Sequence, residues 1–275
     1  MTLSQTEHAR LDAMMQSLKA KAVPFAMATV VRTVNATSAK PGGKALLDQG
    51  GNILLGWVGG GCARGAVGRA AREAITSGTP QFISLRPQEL LKSDGLSPGE
   101  LRDGVRFARN GCPSKGTMDI FVEPVLPLPQ LAIFGTGLVA LALAELAARF
   151  DFKVTLSTPE GAELVHGQGY ETRAGFDAVG GDFIVVATQG QGDLAALRAA
   201  LLSQAGHISF VGSRRKFQTL ADKLSAETPE HVERLQAIQA PAGLDINAIT
   251  PDEIALSILA QIIRIRRNRE KVPDE

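Results

Sequence analysis

At 275 residues, with 44% apolar and 21% charged side chains, the chain can build two cores of roughly 130 residues each, and long disordered tracts are excluded. Twenty-nine Lys and Arg stand against 28 Asp and Glu, so no global field exists to hold a nucleic acid or an anionic membrane, and any basic site must be local. No window reaches the roughly 18 uncharged apolar residues that span a bilayer, residues 1–22 lack a signal-peptide pattern, and two cysteines cannot staple a secreted fold, so the sequence predicts a cytoplasmic protein without a membrane span.

Residues 7–22 place Leu11, Met14, Met15 and Leu18 on one helical stripe, which Pro24 ends. The run ATVVRTV reads as a buried strand; KALLD and NILLGWV read as two shorter strands joined across Gln49, Gly50 and Gly51. After the glycines at 59–61 and Cys62, the segment ARGAVGRAAREAITSG has a helical pattern that Gly78 closes. PQFISLRP and TMDIFVEPV read as strands, and LLKSDGLSPGELRDGV between them as a polar surface excursion. Pro124, Pro127 and Pro129 can propagate neither a helix nor a central strand, so residues 124–130 are expected to link a domain at 1–123 to one at 131–275.

From Leu131 the pattern alternates. Fully apolar strands (LAIFG, FKVTL, DFIVVAT, HISFVG) are separated by helical segments, which indicates a parallel sheet covered on both faces. The fold class expected is α/β: an N-terminal mixed α/β domain followed by a C-terminal Rossmann-like doubly wound parallel sheet. Thr250, Pro251 and Glu253 supply the cap, first-position proline and capping-box carboxylate of a last helix running to about Arg269.

Several motifs could carry chemistry. Gly135, Gly137 and Ala140 follow a strand and open a helix, the context of a dinucleotide fingerprint in which Gly137 admits a pyrophosphate; an empty glycine turn in a doubly wound fold is the plainer reading. The second strand ends in Ser157, Thr158 and Pro159, without the acid that accepts ribose hydroxyls in NAD sites. Ser213, Arg214, Arg215 and Lys216 follow the strand HISFVG and suit phosphate or carboxylate, or else form a solvated helix start.

In the first domain, Gly59, Gly60 and Gly61 permit close approach to an anion or cofactor, and Cys62 stands near a helix N-terminus that favours its thiolate. Cys112 lies in RNGCPSKG between Arg109 and Lys115. Each cysteine could equally be an inert small hydrophobe. The loop at 35–44 brings hydroxyls, Lys40 and Lys44, which fit an anion site or an ordinary turn, and Asn35 there tolerates left-handed geometry. His8, His166, His207 and His231 are scattered and form no ligand pattern.

The stretches TSAKPGGKALL, GWVGGGCA, GTMDIFVEPVLPLPQLAIFG, FVGSRRK and APAGLDINAITPDEIALSILAQII resemble, in this order, the XdhC/CoxI family, especially its CoxF-like branch linked to carbon monoxide dehydrogenase-type maturation. The resemblance implies an accessory chaperone that binds the molybdenum cofactor (molybdopterin, in a form such as the cytosine dinucleotide). Such a chaperone assists the cofactor's sulfuration or its insertion into an apo molybdenum hydroxylase, with a sulfur donor protein as partner and a homodimer as assembly. It also implies that Cys62 and Cys112 handle the metal centre; from the residues themselves, Lys40, Lys44, the two glycine turns and the cluster at 213–216 are expected to hold the cofactor. Arg64 stands where many relatives carry Glu, and Leu138 where a histidine often follows the second glycine. Two other readings follow from the residues: an NAD(P)-dependent oxidoreductase built on Gly135 and Gly137, and a ligand-free scaffold that dimerises through its apolar C-terminal helix.

Overall fold

In a computed structural model, residues 5–112, 115–176 and 181–270 are described, with side chains to Asn268. Pro113 and Ser114, in the loop that carries Cys112, lie outside them. The chain divides into two compact units, Met1–Pro127 and Leu128–Glu275.

The first unit opens with α1 (Gln5–Ala20) and β1 (Phe25–Val34), then β2 (Lys44–Leu47), β3 (Ile53–Gly56) and α2 (Gly61–Ser77). β4 (Gln81–Arg86), α3 (Gln88–Ser93), β5 (Leu101–Arg102), β6 (Val105–Arg109) and β7 (Thr117–Val125) complete it. The seven strands form one sheet in the order β3-β2-β1-β7-β4-β6-β5, antiparallel except for β4 against β6. Alternation along β1 sends Ala26, Ala28 and Val30 to the core shared with the alanine face of α2, and Phe25 and Met27 to the cluster beneath Leu11 of α1. Small residues let α2 lie close: a Cβ on Gly68 would stand 2.6 Å from the Gly51 carbonyl oxygen at the β2–β3 turn. Gly78, left-handed, ends α2.

Two details differ from the sequence reading. The polar excursion carries structure of its own: α3 and β6 bury Leu91, Leu96 and Phe107 as a satellite cluster, and β6 joins the main sheet beside β4. VRFAR is short and the adjacent Phe107 and Ala108 break its alternation, so no clear period marks it as a strand. Pro124, expected in a linker, lies in β7 opposite Ala26; pairing with β4 has ended by Val122, so its missing N–H costs no bond on that side.

The second unit comprises β8 (Gln130–Phe134), α4 (Leu138–Ala147), β9 (Lys153–Thr158), β10 (Tyr170–Ala174) and β11 (Phe183–Val186). α5 (Asp193–Leu202), β12 (His207–Phe210), α6 (Arg214–Glu227), a 3₁₀ turn at Pro229–His231, α7 (Val232–Gln236) and α8 (Pro251–Glu270) follow. All its strands are parallel, in the order β10-β9-β8-β11-β12. Leu131 and Ile133 of β8 point to the core under α4 and α8, whereas Ala132 and Phe134 point to the core under α5 and α6, the signature of a doubly wound sheet. α8 begins as its sequence specifies, with Thr250 Oγ1 accepting from Glu253 N and a Glu253 carboxylate oxygen accepting from Thr250 N and Ile249 N. The segment at 239–242 hydrogen-bonds along β12 and covers that edge.

Candidate functional site

In the first unit, the loop after β1, the turn into α2 and the loop after β6 converge. Asn35 is left-handed, as its side chain allows, and Ala36 bridges to Lys115. Asn110 pins the third segment: its amide donates to the Gly116 carbonyl and its Oδ1 accepts from Cys112 N. These contacts enclose a cavity of about 210 Å³ lined by Thr37, Ser38, Cys62 and Cys112, with Gly60, Gly61 and Met118 among the remaining walls. Both thiols are exposed. Sequence reasoning missed Asn110 and Met118, although the Asn-Gly pair at 110–111 signals a tight turn.

The three glycines have different tasks. Gly59 is left-handed and packed on Ala63, Met118 and Ser38, so it serves the protein's own packing; a Cβ on Gly60 or Gly61 would meet nothing within 4 Å, so bare backbone faces open space there. Gly60 N donates to Ser38 Oγ, and α2 starts without a side-chain cap on its first-turn N–H groups. Arg64 stacks on Trp57, 4.6 Å from the ring centroid. Lys115 pairs with Glu89 at 2.8 Å. Lys40 is exposed and Lys44 lies in β2 opposite Thr29; neither lines the cysteine cavity.

In the second unit, Gly135 makes the tight turn after β8: its N donates to Ser157 O, and a Cβ there would collide with Ala187 O. Gly137, expected to admit a pyrophosphate, has the Gln189 side chain over it. Ser157 and Thr158 are buried at the end of β9 and present no ribose acceptor. The basic cluster is divided. Ser213 caps α6 by accepting from Lys216 N, Lys216 pairs with buried Asp193 at 2.5 Å, and Arg215 is exposed on the first turn. Arg214 instead lines a groove of about 730 Å³ formed by the segment at 239–248 and the Ile254, Ser257, Gln261 and Arg264 stripe of α8. Gln261 clamps that segment, its Oε1 accepting from Gly243 N and its Nε2 donating to Gly243 O. Among the described residues, no group of three or more His, Cys, Asp or Glu side chains is placed to hold a metal ion.

The first unit is an α/β unit with two thiols lining one cavity, and the second is a Rossmann-type unit. The chain belongs to the XdhC and CoxI family: residues 18–86 match that family, and residues 131–262 match the XdhC Rossmann domain. It is 27% identical over 264 residues to the uncharacterized protein YqeB of Escherichia coli K12, covering 89% of this chain and 44% of YqeB. To a probable xanthine dehydrogenase component of Bacillus subtilis it is 28% identical over 163 residues, covering 55% of this chain and 47% of that protein. The chain therefore spans less than half the length of these relatives. A crystal structure of a xanthine dehydrogenase from Bacillus halodurans aligns over 95% of this chain and 97% of that one, at 19% identity and a TM-score of 0.41.

Proposed function

We propose that the chain is an accessory protein of a molybdenum hydroxylase of the xanthine or carbon monoxide dehydrogenase type, in the CoxF-like branch of its family, and that it holds the molybdenum cofactor for sulfuration or insertion. The observation that carries this reading is the shared cavity: Cys62 and Cys112 come from separate loops yet line one space beside the bare backbone of Gly60 and Gly61. Two thiols suit a metal that takes soft sulfur ligands, and open glycine backbone suits a bulky pterin brought close. The cofactor is cargo here. An apo-hydroxylase receives it, a sulfur donor protein supplies the sulfur, and a homodimer in the cytoplasm is the working form.

The oxidoreductase reading fares worse. Gln189 lies over Gly137, Lys216 is engaged by Asp193, and Ser157 offers no carboxylate to a nicotinamide ribose.

Denaturing protein purified from a host that makes molybdopterin, and identifying what it releases by mass and fluorescence, tests the proposal. Molybdopterin oxidation products are expected. Cys62→Ser and Cys112→Ser should each lower activation of a co-expressed molybdenum hydroxylase while leaving the fold intact. Release of a nicotinamide dinucleotide, or full activation by both variants, would remove the cysteines and the cofactor from the account.

A further inference from the structure

The groove of about 730 Å³ in the second unit is bordered neither by the glycine turn nor by the two thiols. It includes Val211 and Gly212 just past the carboxyl end of β12, the edge where open parallel sheets bind ligands. Its walls are fixed from within the unit. Gln261, only 4% exposed, clamps Gly243, while Leu244 N donates to Ser257 O and Ala242 N to Phe210 O. Gly243 is left-handed, and a Cβ there would collide with Ser257 Oγ, so the segment lies as close to α8 as a bare backbone allows. Asp245 and Asn247 beyond it are exposed, Asn247 is left-handed, and its N donates to Asp245 Oδ1 at 3.5 Å.

The groove keeps its charges apart. Spacing along α8 puts Arg264 on the same stripe as Ile254, Ser257 and Gln261, and Arg214 joins the lining from the first turn of α6. Among the described residues, neither arginine pairs with a carboxylate and Asp245 pairs with no cation. Both arginines are exposed and untethered, so both can swing into the space they border. Forked guanidinium donors match phosphate oxygens, and a carboxylate that accepts from neighbouring hydroxyls is what a ribose requires. Val211, Ala242 and Ile254 pack on the core beneath and give the lining an apolar floor. The glycine turn lacks this set: Gln189 lies over Gly137, and β9 ends in Ser157 and Thr158 without an acid.

We propose that this groove binds a nucleoside monophosphate, its phosphate held by Arg214 and Arg264, its ribose hydroxyls by Asp245, and its base over the apolar floor. A free mononucleotide and the nucleotide end of a dinucleotide cofactor share this chemistry, so the site stands whether or not the cofactor reading holds.

Isothermal titration of the full chain with AMP, GMP, CMP and UMP tests the site. At least one should bind, and its unphosphorylated nucleoside should bind roughly ten-fold more weakly or worse. Arg214→Gln with Arg264→Gln should remove that preference for the phosphate. Asp245→Ala should erase the preference for ribose over an analogue lacking both hydroxyls. The substituted side chains are exposed, and circular dichroism spectra and melting curves matching the parent verify that the variants fold; the comparison of nucleotide with nucleoside needs no variant. Binding by none of the nucleotides, equal affinity for nucleotide and nucleoside, or affinity unchanged in the variants overturns the site. Material released on denaturation separates the two sources: loss of molybdopterin from the arginine variant assigns the groove to the cofactor's nucleotide end, and its retention alongside lost nucleotide binding assigns it to a free nucleotide. The two proposals fail separately, because nucleotides that do not bind protein able to release molybdopterin refute the groove alone, and binding by protein that releases none refutes the cofactor reading alone.

Discussion

Asp193 is a buried carboxylate that fastens three segments of the second unit. It accepts from Thr188 Oγ1 and Gly190 N, and pairs with Lys216. Burial alone would raise its carboxyl, but the hydrogen bonds from Lys216, Thr188 and Gly190 outweigh burial and hold it below its ordinary 3.8. A carboxyl whose folded value is depressed adds stability that is complete above the unfolded value and lost as pH falls through the folded one. Lys216→Ala should therefore cost about 1–3 kcal/mol at neutral pH. In urea unfolding, the gap to the parent should narrow once pH drops below 3.8. A gap independent of pH would mean that Lys216 acts only by lying over Phe210. From the letters, Lys216 reads as part of a cationic run that suits phosphate or carboxylate or opens a helix, because three cations in a row are visible there while a carboxylate across the fold is not. Asn110 escaped notice for a related reason: its value lies in hydrogen bonds to Gly116 and Cys112 that exist only once the loop has closed.

Among the elements, α2 carries most of the candidate site, and its seating depends on close approach to the β2–β3 turn. Gly68→Ala adds a methyl against the Gly51 carbonyl. Alanine's helix propensity would favour the variant by about 1 kcal/mol, yet overpacking costs about 1–3 kcal/mol, so thermal unfolding should show a net loss. A stabilised variant would mean that the turn yields freely. Elements with local signals were legible: the cap of α8 is written in Thr250, Pro251 and Glu253, and the mainly apolar β8, β11 and β12 announce a sheet covered on both faces. β6 and β10 were not, because VRFAR is short with a broken alternation and YETRA is mostly polar, and their strand character comes from pairing with β4 and β9. The apolar face of α8, offered by the scaffold reading as a dimer surface, packs within its own unit: Ala255, Ile258, Leu259 and Ile262 join the core with α4.

For the whole molecule, the near balance of charge means that long-range attraction is weak and arginine sites act only at contact. Electrophoretic mobility of a DNA duplex should be unaffected by the protein at physiological salt, where neutralising several phosphates would be required for retention. A salt-dependent shift would show that the arginines of the first unit join into a larger basic surface. Two cores, each with its own sheet, were legible from length and from the change of pattern at Leu131. The meeting of Cys62 and Cys112 was not, since it depends on three loops folding over one another.

Cys62 also borders a groove of about 350 Å³ between α2 and β6, whereas Cys112 lines only the smaller cavity, so the two thiols are not interchangeable. A bulky cap on Cys112 would fill one space, and the same cap on Cys62 would intrude on both at once.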